Sequence, residues 1–370
     1  MAERRAPRIL FVPVSGPFGL GEYARSLAIA RAASQHWQGA SIHFVLSREA
    51  PYSADVPFPA VLLPSSPTFH SAAVIELLKQ LKPDVVIFDN AGRTAQLRAA
   101  RAVGARVVFI SARRRQRRKA FRWRWMRVID EHWIAYPEFI AGSVGFFEGA
   151  KLKILGRPRL RFLDVILSRA DSSERETILA RAAVEARTFV LVVPGGGTGH
   201  PGAQHAAAVF MEAAREIAAG GVPTVYVGPG RAAEGGAGRE VGAGAAANWH
   251  HIGPLPQADL GELMRAARLI VANGGSTLLQ AVACGAACIA VPIAKDQAQR
   301  IGRCAAVGVA IAAPLDAVRI AQAANALLHD EPQRAALAAR AAGLGLADGV
   351  AVALQALGGL LEPAHGEPGS

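Results

Sequence analysis

The sequence predicts a parallel α/β protein of two similar domains. Three observations carry that prediction. At 370 residues the chain has the length of two ordinary domains, each able to bury its own core. Two strand-like runs, Arg8 to Val14 and Thr188 to Val193, each pass through a glycine-rich turn into a helical stretch, which is how a parallel α/β domain opens. Residues 269–300 repeat the pattern as strand, Gly-Gly-Ser-Thr, helix and strand.

The first domain is expected over residues 1–160. Arg8 to Val14 runs into Ser15-Gly16-Pro17-Phe18-Gly19-Leu20-Gly21-Glu22, and a helix follows from Tyr23 to Ala33. The apolar run after the basic N-terminal residues is too short for a secretion signal and fits a first strand. Ser41 to Leu46, Val85 to Asp89, Arg106 to Ile110 and Asp130 to Ala135 read as further strands. Asp89 ends its strand at the carboxyl side, where parallel sheets place ligands; it equally suits the cap of a helix beginning near Gly92.

Charge is unevenly spread. Residues 1–170 carry a net +15 and residues 171–370 a net −3, so the first half is the one suited to an anionic partner. Much of the excess lies in Arg113–Arg127, with nine basic residues of fifteen. Phe121, Trp125, Val128, Ile129 and His132 recur there at helical spacing. Basic residues interleaved with Trp123 and Trp125 suit an anionic membrane surface or an anionic acceptor. A solvated basic helix with its aromatic face in the core, or contact with nucleic acid, are the other readings.

Residues 161–186 read as a linker with a short helix, opened by the capping box Ser173 to Glu176. The second domain is expected over 187–361, and 362–370 as a loose tail. Its glycine turn, Pro194-Gly195-Gly196-Gly197-Thr198-Gly199-His200, brings backbone N–H groups to a place suited to phosphate, with Gly196, Gly197 and Thr198 as candidates. His200 and His205 have no third ligand nearby, so no metal is expected. Pro223 to Gly228 is a strand, residues 229–248 a Gly/Ala-rich loop, and Leu260 to Ala267 a helix. Beyond the motif, Val309 to Ile311 is a short strand, and Asp316 to Leu328 and Gln333 to Ala342 are helices. Leu346 to Leu361 is expected as a last helix packing across the domains. Cys284, Cys288 and Cys304 match no zinc spacing and are too few for a disulfide framework, as in a reducing compartment.

The most informative stretch is Leu269 to Arg300. Leu269-Ile270-Val271 is a buried strand, Asn273-Gly274-Gly275-Ser276-Thr277 a break, and Leu278 to Cys284 a helix closed by Gly285. Cys288 to Pro292 is a second strand, with Lys295-Asp296-Gln297 in a loop after it. No charge lies between Leu269 and Ala294. The paired glycines, Asn273, Gln280 and Pro292 nevertheless argue against a membrane span, because the apolar runs are strand-sized.

This order of residues resembles the donor-nucleotide motif of two-domain glycosyltransferases, most of all the MurG-like branch. The resemblance implies the GT-B arrangement, two Rossmann-like domains with parallel sheets facing a central cleft. It assigns the donor's diphosphate to Gly274, Gly275, Ser276 and Thr277, the ribose to Gln280, and the donor sugar to Asp296 and Gln297. Ile252-Gly253-Pro254-Leu255-Pro256 resembles the loop whose backbone receives the base, through Gly253 and Leu255. Two positions depart: Gln280 stands where the family has Glu, and Arg300 where it usually has Asn. An amide still bonds a ribose hydroxyl, without a carboxylate's charge. Leu155 to Pro158 resembles the turn that closes the first domain in this group.

Gly19, Gly21 and Arg25 match the Gly-x-Gly-His-x-x-Arg start of the same group, with Glu22 in place of His. Glu22 there is either a base for an acceptor hydroxyl or a favourable charge at a helix start. The implied activity is metal-independent, inverting sugar transfer from a nucleotide diphosphate, UDP in most of the family, without a cofactor. The acceptor is open and includes a lipid-linked one at the inner face of the membrane. A nucleotide-sugar hydrolase of the same fold and a non-catalytic binding subunit are the alternatives.

Overall fold

The computed structural model describes residues 5–17, 20–167, 172–195, 205–229 and 248–362, with the backbone alone at 172–174. The chain forms two compact units, Met1–Ile166 with Ala347–Ser370, and Leu167–Leu346.

Among the described residues the first unit holds seven strands: β1 (Arg8–Pro13), β2 (Ser41–Ser47), β3 (Ala60–Leu63), β4 (Val85–Asp89), β5 (Arg106–Ser111), β6 (Glu131–Ile134) and β7 (Arg159–Phe162). They make one all-parallel sheet in the order β3-β2-β1-β4-β5-β6-β7. The inner strands β1, β4 and β5 are covered on both faces, so they are largely apolar and their side chains alternate between two cores. Ile9, Phe11, Phe44, Ile87, Ile110 and Trp133 enter one core, and Leu10, Val12, Val86, Phe88 and Phe109 the other.

The second unit holds β8 (Val190–Val193), β9 (Thr224–Val227), β10 (Trp249–Ile252), β11 (Leu269–Asn273), β12 (Ala287–Val291) and β13 (Ile311–Ala312). Their order is β10-β9-β8-β11-β12-β13, again parallel throughout. In each sheet the strand order reverses at one point, between β1 and β4 and between β8 and β11. The crevice at the carboxyl ends of such a reversal is where open α/β sheets take ligands.

The division differs from the expected one at the chain's return. The last helix, Gly349–Leu361, belongs to the first unit and packs on Gly21–His36 through Ala353, Ala356 and Leu357. Its start is tied to the end of β7's strand run. Val165 bridges Asp348, Gly349 N–H donates to the Val165 carbonyl at 2.9 Å, and Ala347 N–H donates to Asp164 Oδ2 at 2.9 Å. An apolar stretch shows that a helix is buried, not which sheet buries it. Likewise the first sheet runs past residue 160 through β7, whose alternating Arg159-Leu160-Arg161-Phe162 carries no continuous apolar run.

Candidate functional site

At the reversal of the second sheet, four predicted residues fall on one loop and helix start. Gly274 and Gly275 leave β11, and the helix spans Ser276–Ala283, two residues earlier than expected. The N–H groups of Ser276, Thr277 and Leu278 open that helix, with no carbonyl one turn back to accept them. The Asn273 side chain holds the loop in place. Its Oδ1 accepts from Gly275 N–H at 2.7 Å, and its Nδ2 donates to the Pro194 carbonyl. Asn273 thereby ties the turn after β11 to the turn after β8.

Gly195 is the contact between those turns. Its φ is +74°, and a Cβ there would collide with the Asn273 amide and lie 3.2 Å from Thr277 Oγ1. Only glycine admits that approach. Gly196, Gly197 and Thr198, predicted on the same turn, lie outside the described residues. Gly253 and Leu255 follow β10, on the same carboxyl edge but two strands from β8. Gln280 lies one turn into the helix and is buried.

Asp296 and Gln297 are not in a loop. They occupy the first turn of the helix Lys295–Ala306. Gln297 starts that helix: its Oε1 accepts from Ile293 N–H at 3.0 Å and its N–H donates to the Ala294 carbonyl at 3.0 Å. The side chain backs the glycine loop, since a Cβ at Gly274 would lie 2.9 Å from Gln297 Cβ and one at Gly275 3.6 Å from its Nε2. Asp296 points outward, 76 % exposed, with Oδ2 3.7 Å from Arg300 Nη2. Arg300 in turn donates from Nη1 to the Gly274 carbonyl at 2.5 Å. Gln297 thus meets the loop directly, and Asp296 does so only through Arg300.

The first sheet's reversal is built differently. Arg25 makes a two-point ion pair with Asp89, Nε to Oδ2 at 2.8 Å and Nη2 to Oδ1 at 2.6 Å, and both are buried. Burial works against the Arg25 charge, but the charge and hydrogen bonds of Asp89 outweigh it and hold the guanidinium above its ordinary value. Asp89 therefore neither caps a helix nor lines an open crevice; it anchors Arg25. The helix Thr94–Ala102 is started instead by Gln96, whose Oε1 accepts from Arg93 N–H at 2.9 Å.

Glu22 lies in the first turn of Gly21–His36. Its Oε1 accepts from Asn90 Nδ2 at 2.8 Å and lies 3.6 Å from Arg113 Nη2. Asn90, with φ +52°, also accepts at Oδ1 from Ala112 N–H at 2.9 Å, which fixes the amide's orientation. Tyr52 stacks on Tyr23 with ring centroids 4.0 Å apart. Its buried hydroxyl has no hydrogen-bond partner among the described residues. Burial, then the nearby Glu22 and Tyr23, push that phenol up.

No family model and no curated protein matches the chain. Among solved structures, MurG of Acinetobacter baumannii superposes with a TM-score of 0.60 at 17% identity, over 95% of this chain and 99% of that one. The calicheamicin glycosyltransferase CalG4 gives 0.62 at 15% identity, over 98% and 100%. A putative UDP-N-acetylglucosamine 2-epimerase from Listeria monocytogenes gives 0.56 at 14% identity, over 95% of each.

The fold is that of the GT-B glycosyltransferases.

In GT-B terms, the basic segment belongs to the first unit, and it is not one helix. Arg114–Ala120 and Trp123–Met126 are two short helices, separated at Phe121 and Arg122, and β6 begins at Glu131. Trp125 turns into the core, as the reading of a buried aromatic face expects and the membrane-surface reading does not, edge-on to Phe109 at 5.1 Å with Nε1 donating to Thr94 Oγ1. His132 is a buried strand residue, with Nε2 2.9 Å from Ser111 Oγ. Burial, then Arg117, push it down to about 3. Arg117 is also buried, donating to the carbonyls of Ala141, Gly142 and Ser143 and to Glu148.

The remaining arginines of the segment are exposed, as is Trp123. Lys151 joins them to the helix Phe146–Leu155: its Nζ donates to the Phe121 carbonyl and lies 6.0 Å from the Trp123 ring. That helix exposes Phe146 (85%), Phe147 (79%) and Ile154 (71%), a cluster absent from the sequence reading because two adjacent phenylalanines carry no periodicity. Sequence reasoning also passed over Asn273, Tyr52 and Asn90's role. Asn273 ends β11 and Asn90 follows β4 directly, both at carboxyl edges, a signal that was available. Tyr52 offered none.

Among the described residues no helix is long and apolar enough to cross a membrane. No group of three or more His, Cys, Asp or Glu there is placed to hold a metal. The three cysteines are free.

Proposed function

We propose that the chain is a glycosyltransferase that moves a sugar from a nucleoside diphosphate, UDP, to an acceptor hydroxyl. The observation that carries this is the clasp of Asn273 and Gly195 around the helix start at Ser276 and Thr277. It leaves a helix N-terminus and two hydroxyls at the second sheet's reversal, chemistry suited to diphosphate oxygens. Gly253 and Leu255 receive the base, Gln280 the ribose, and Asp296 and Gln297 the sugar.

In the reaction, the acceptor oxygen attacks the anomeric carbon and the bond from that carbon to the phosphate oxygen breaks with inversion. The electron pair leaves with the diphosphate, where helix amides and hydroxyls stabilise the charge without a metal. Glu22 of the first unit takes the acceptor's proton. Asn90 and Arg113 hold its carboxylate by one oxygen, Oε1.

The acceptor is lipid-linked or anionic, and the protein works at an anionic membrane surface on the cytoplasmic side. The exposed arginines of residues 113–127, Trp123, Phe146 and Phe147 support that reading: aromatic rings suit the headgroup boundary and guanidinium groups the anionic lipid.

Calorimetry with UDP on wild type and on Ser276→Ala/Thr277→Ala tests the donor site. Binding that the double substitution abolishes supports it; no wild-type binding to any nucleoside diphosphate sinks it. Sugar release from the bound donor without an acceptor favours a hydrolase. Cosedimentation with anionic but not neutral vesicles, lost in Phe146→Ser/Phe147→Ser, tests the membrane surface.

A further inference from the structure

Arg300, one of the departures from the resembled motif, touches the glycine loop itself. It stands in the second turn of Lys295–Ala306 with its side chain 11% exposed. Nη1 donates to the Gly274 carbonyl, in the glycine loop just before the helix start, and Nη2 lies 3.7 Å from Asp296. The loop lies flush against this helix, since a Cβ at Gly274 would lie 2.6 Å from Ile301 Cδ1. The hydrogen bond to Gly274 holds the guanidinium beside the glycine loop, and its ion-pair partner Asp296 is a solvent-exposed carboxylate.

We infer that Arg300 is a specificity-determining residue of the donor site, one that selects a nucleoside diphosphate over the monophosphate of the same base. The inference rests on the proposed donor reading and deepens it. The loop's own donors are limited. Gly275 N–H is committed to Asn273, and the helix end supplies only about half an elementary charge. A second phosphate brings more negative charge than that end balances. A guanidinium with several donors in a fixed fork matches phosphate oxygens. On binding, one Nη keeps the Gly274 carbonyl, and the other exchanges the exposed Asp296 for a phosphate oxygen. Asn at this position would offer the same carbonyl a hydrogen bond but no charge.

The test is calorimetry on wild type, Arg300→Met and Arg300→Lys, with UDP, ADP, GDP and dTDP each paired with its monophosphate. The expected result is that Met weakens the bound diphosphate about tenfold or more, while the monophosphate changes far less. Lys, which keeps the charge, retains most of the preference. Equal losses for both nucleotides would overturn the inference in favour of a loop-shaping role, and so would a Lys variant no better than Met. A thermal midpoint within a few degrees of wild type shows that each variant is folded. Wild type binding the diphosphate with Met unchanged overturns this inference alone. Wild type binding none of the nucleotides overturns the donor reading with it.

Discussion

The two sheet reversals share a topology and little chemistry. At the first, between β1 and β4, side chains carry the structure: the Arg25–Asp89 pair is buried, and Glu22 is held between Asn90 and Arg113. At the second, between β8 and β11, backbone and amide groups do the same work, with Asn273 joining Gly275 N–H to the Pro194 carbonyl. A reversal leaves unpaired groups at a crevice, and the residues filling it decide what the crevice can do. At the first, under the proposed function, Glu22 is the carboxylate placed to take a proton, while Asp89 is committed to Arg25. Glycines and hydroxyls at the second suit holding an oxygen-rich anion.

The sharpest way to break that comparison is Asp89→Ala. Removing one partner strands a buried Arg25 charge, so the loss should be about 3–5 kcal/mol by denaturant unfolding. A loss below about 1 kcal/mol would mean that water reaches the pair and that charge does not hold the first reversal.

Acid should also find the first unit. His132 is held neutral by burial, down to about 3, against 6.5 in an unfolded chain. Below 6.5 the unfolded chain therefore takes up a proton that the folded one refuses. The contribution is complete above pH 6.5 and is lost as pH falls toward about 3, by up to about 1.4 kcal/mol per pH unit. Urea titrations at pH 7 and pH 5 should show this loss, and His132→Gln should flatten it. An unchanged slope in that variant would place the acid sensitivity elsewhere.

The second reversal should instead fail through shape. Gly274→Ala drives a methyl into Ile301 and Gln297, an overpacking cost of about 1–3 kcal/mol, together with weaker nucleotide binding. Full stability and full binding in that variant would show that the loop has room to move. The smallest effect belongs to Phe146→Ser/Phe147→Ser. Both rings are exposed, so unfolding should shift by no more than about 0.5 kcal/mol, and a larger loss would mean that they are packed rather than presented.

How much of this was legible varied with the kind of signal. Strands buried on both faces announced themselves, as in Val85 to Asp89 and Leu269 to Val271, because unbroken apolar runs have few other uses. Three four-residue strands did not: Ala60–Leu63 lies among prolines, Arg159–Phe162 alternates with arginine, and Trp249–Ile252 carries two histidines. The glycine loop was legible because glycine, serine and threonine at a strand end are chemically specific. The helix under it was not, since Lys295-Asp296-Gln297 looks like a polar loop until Gln297 is seen bonding Ile293 N–H. The aromatic spacing of residues 121–132 misled for a related reason. Periodicity records which residues are buried, and here two short helices and a strand bury them in turn.

The return of Gly349–Leu361 to the first unit bears on how the protein is made. A ribosome releases residues 167–346 before it releases that helix. The second unit can therefore finish folding while the first still lacks its closing layer. Until then the face of Gly21–His36 that will meet Ala353, Ala356 and Leu357 is open to water. The half that begins first is the half completed last.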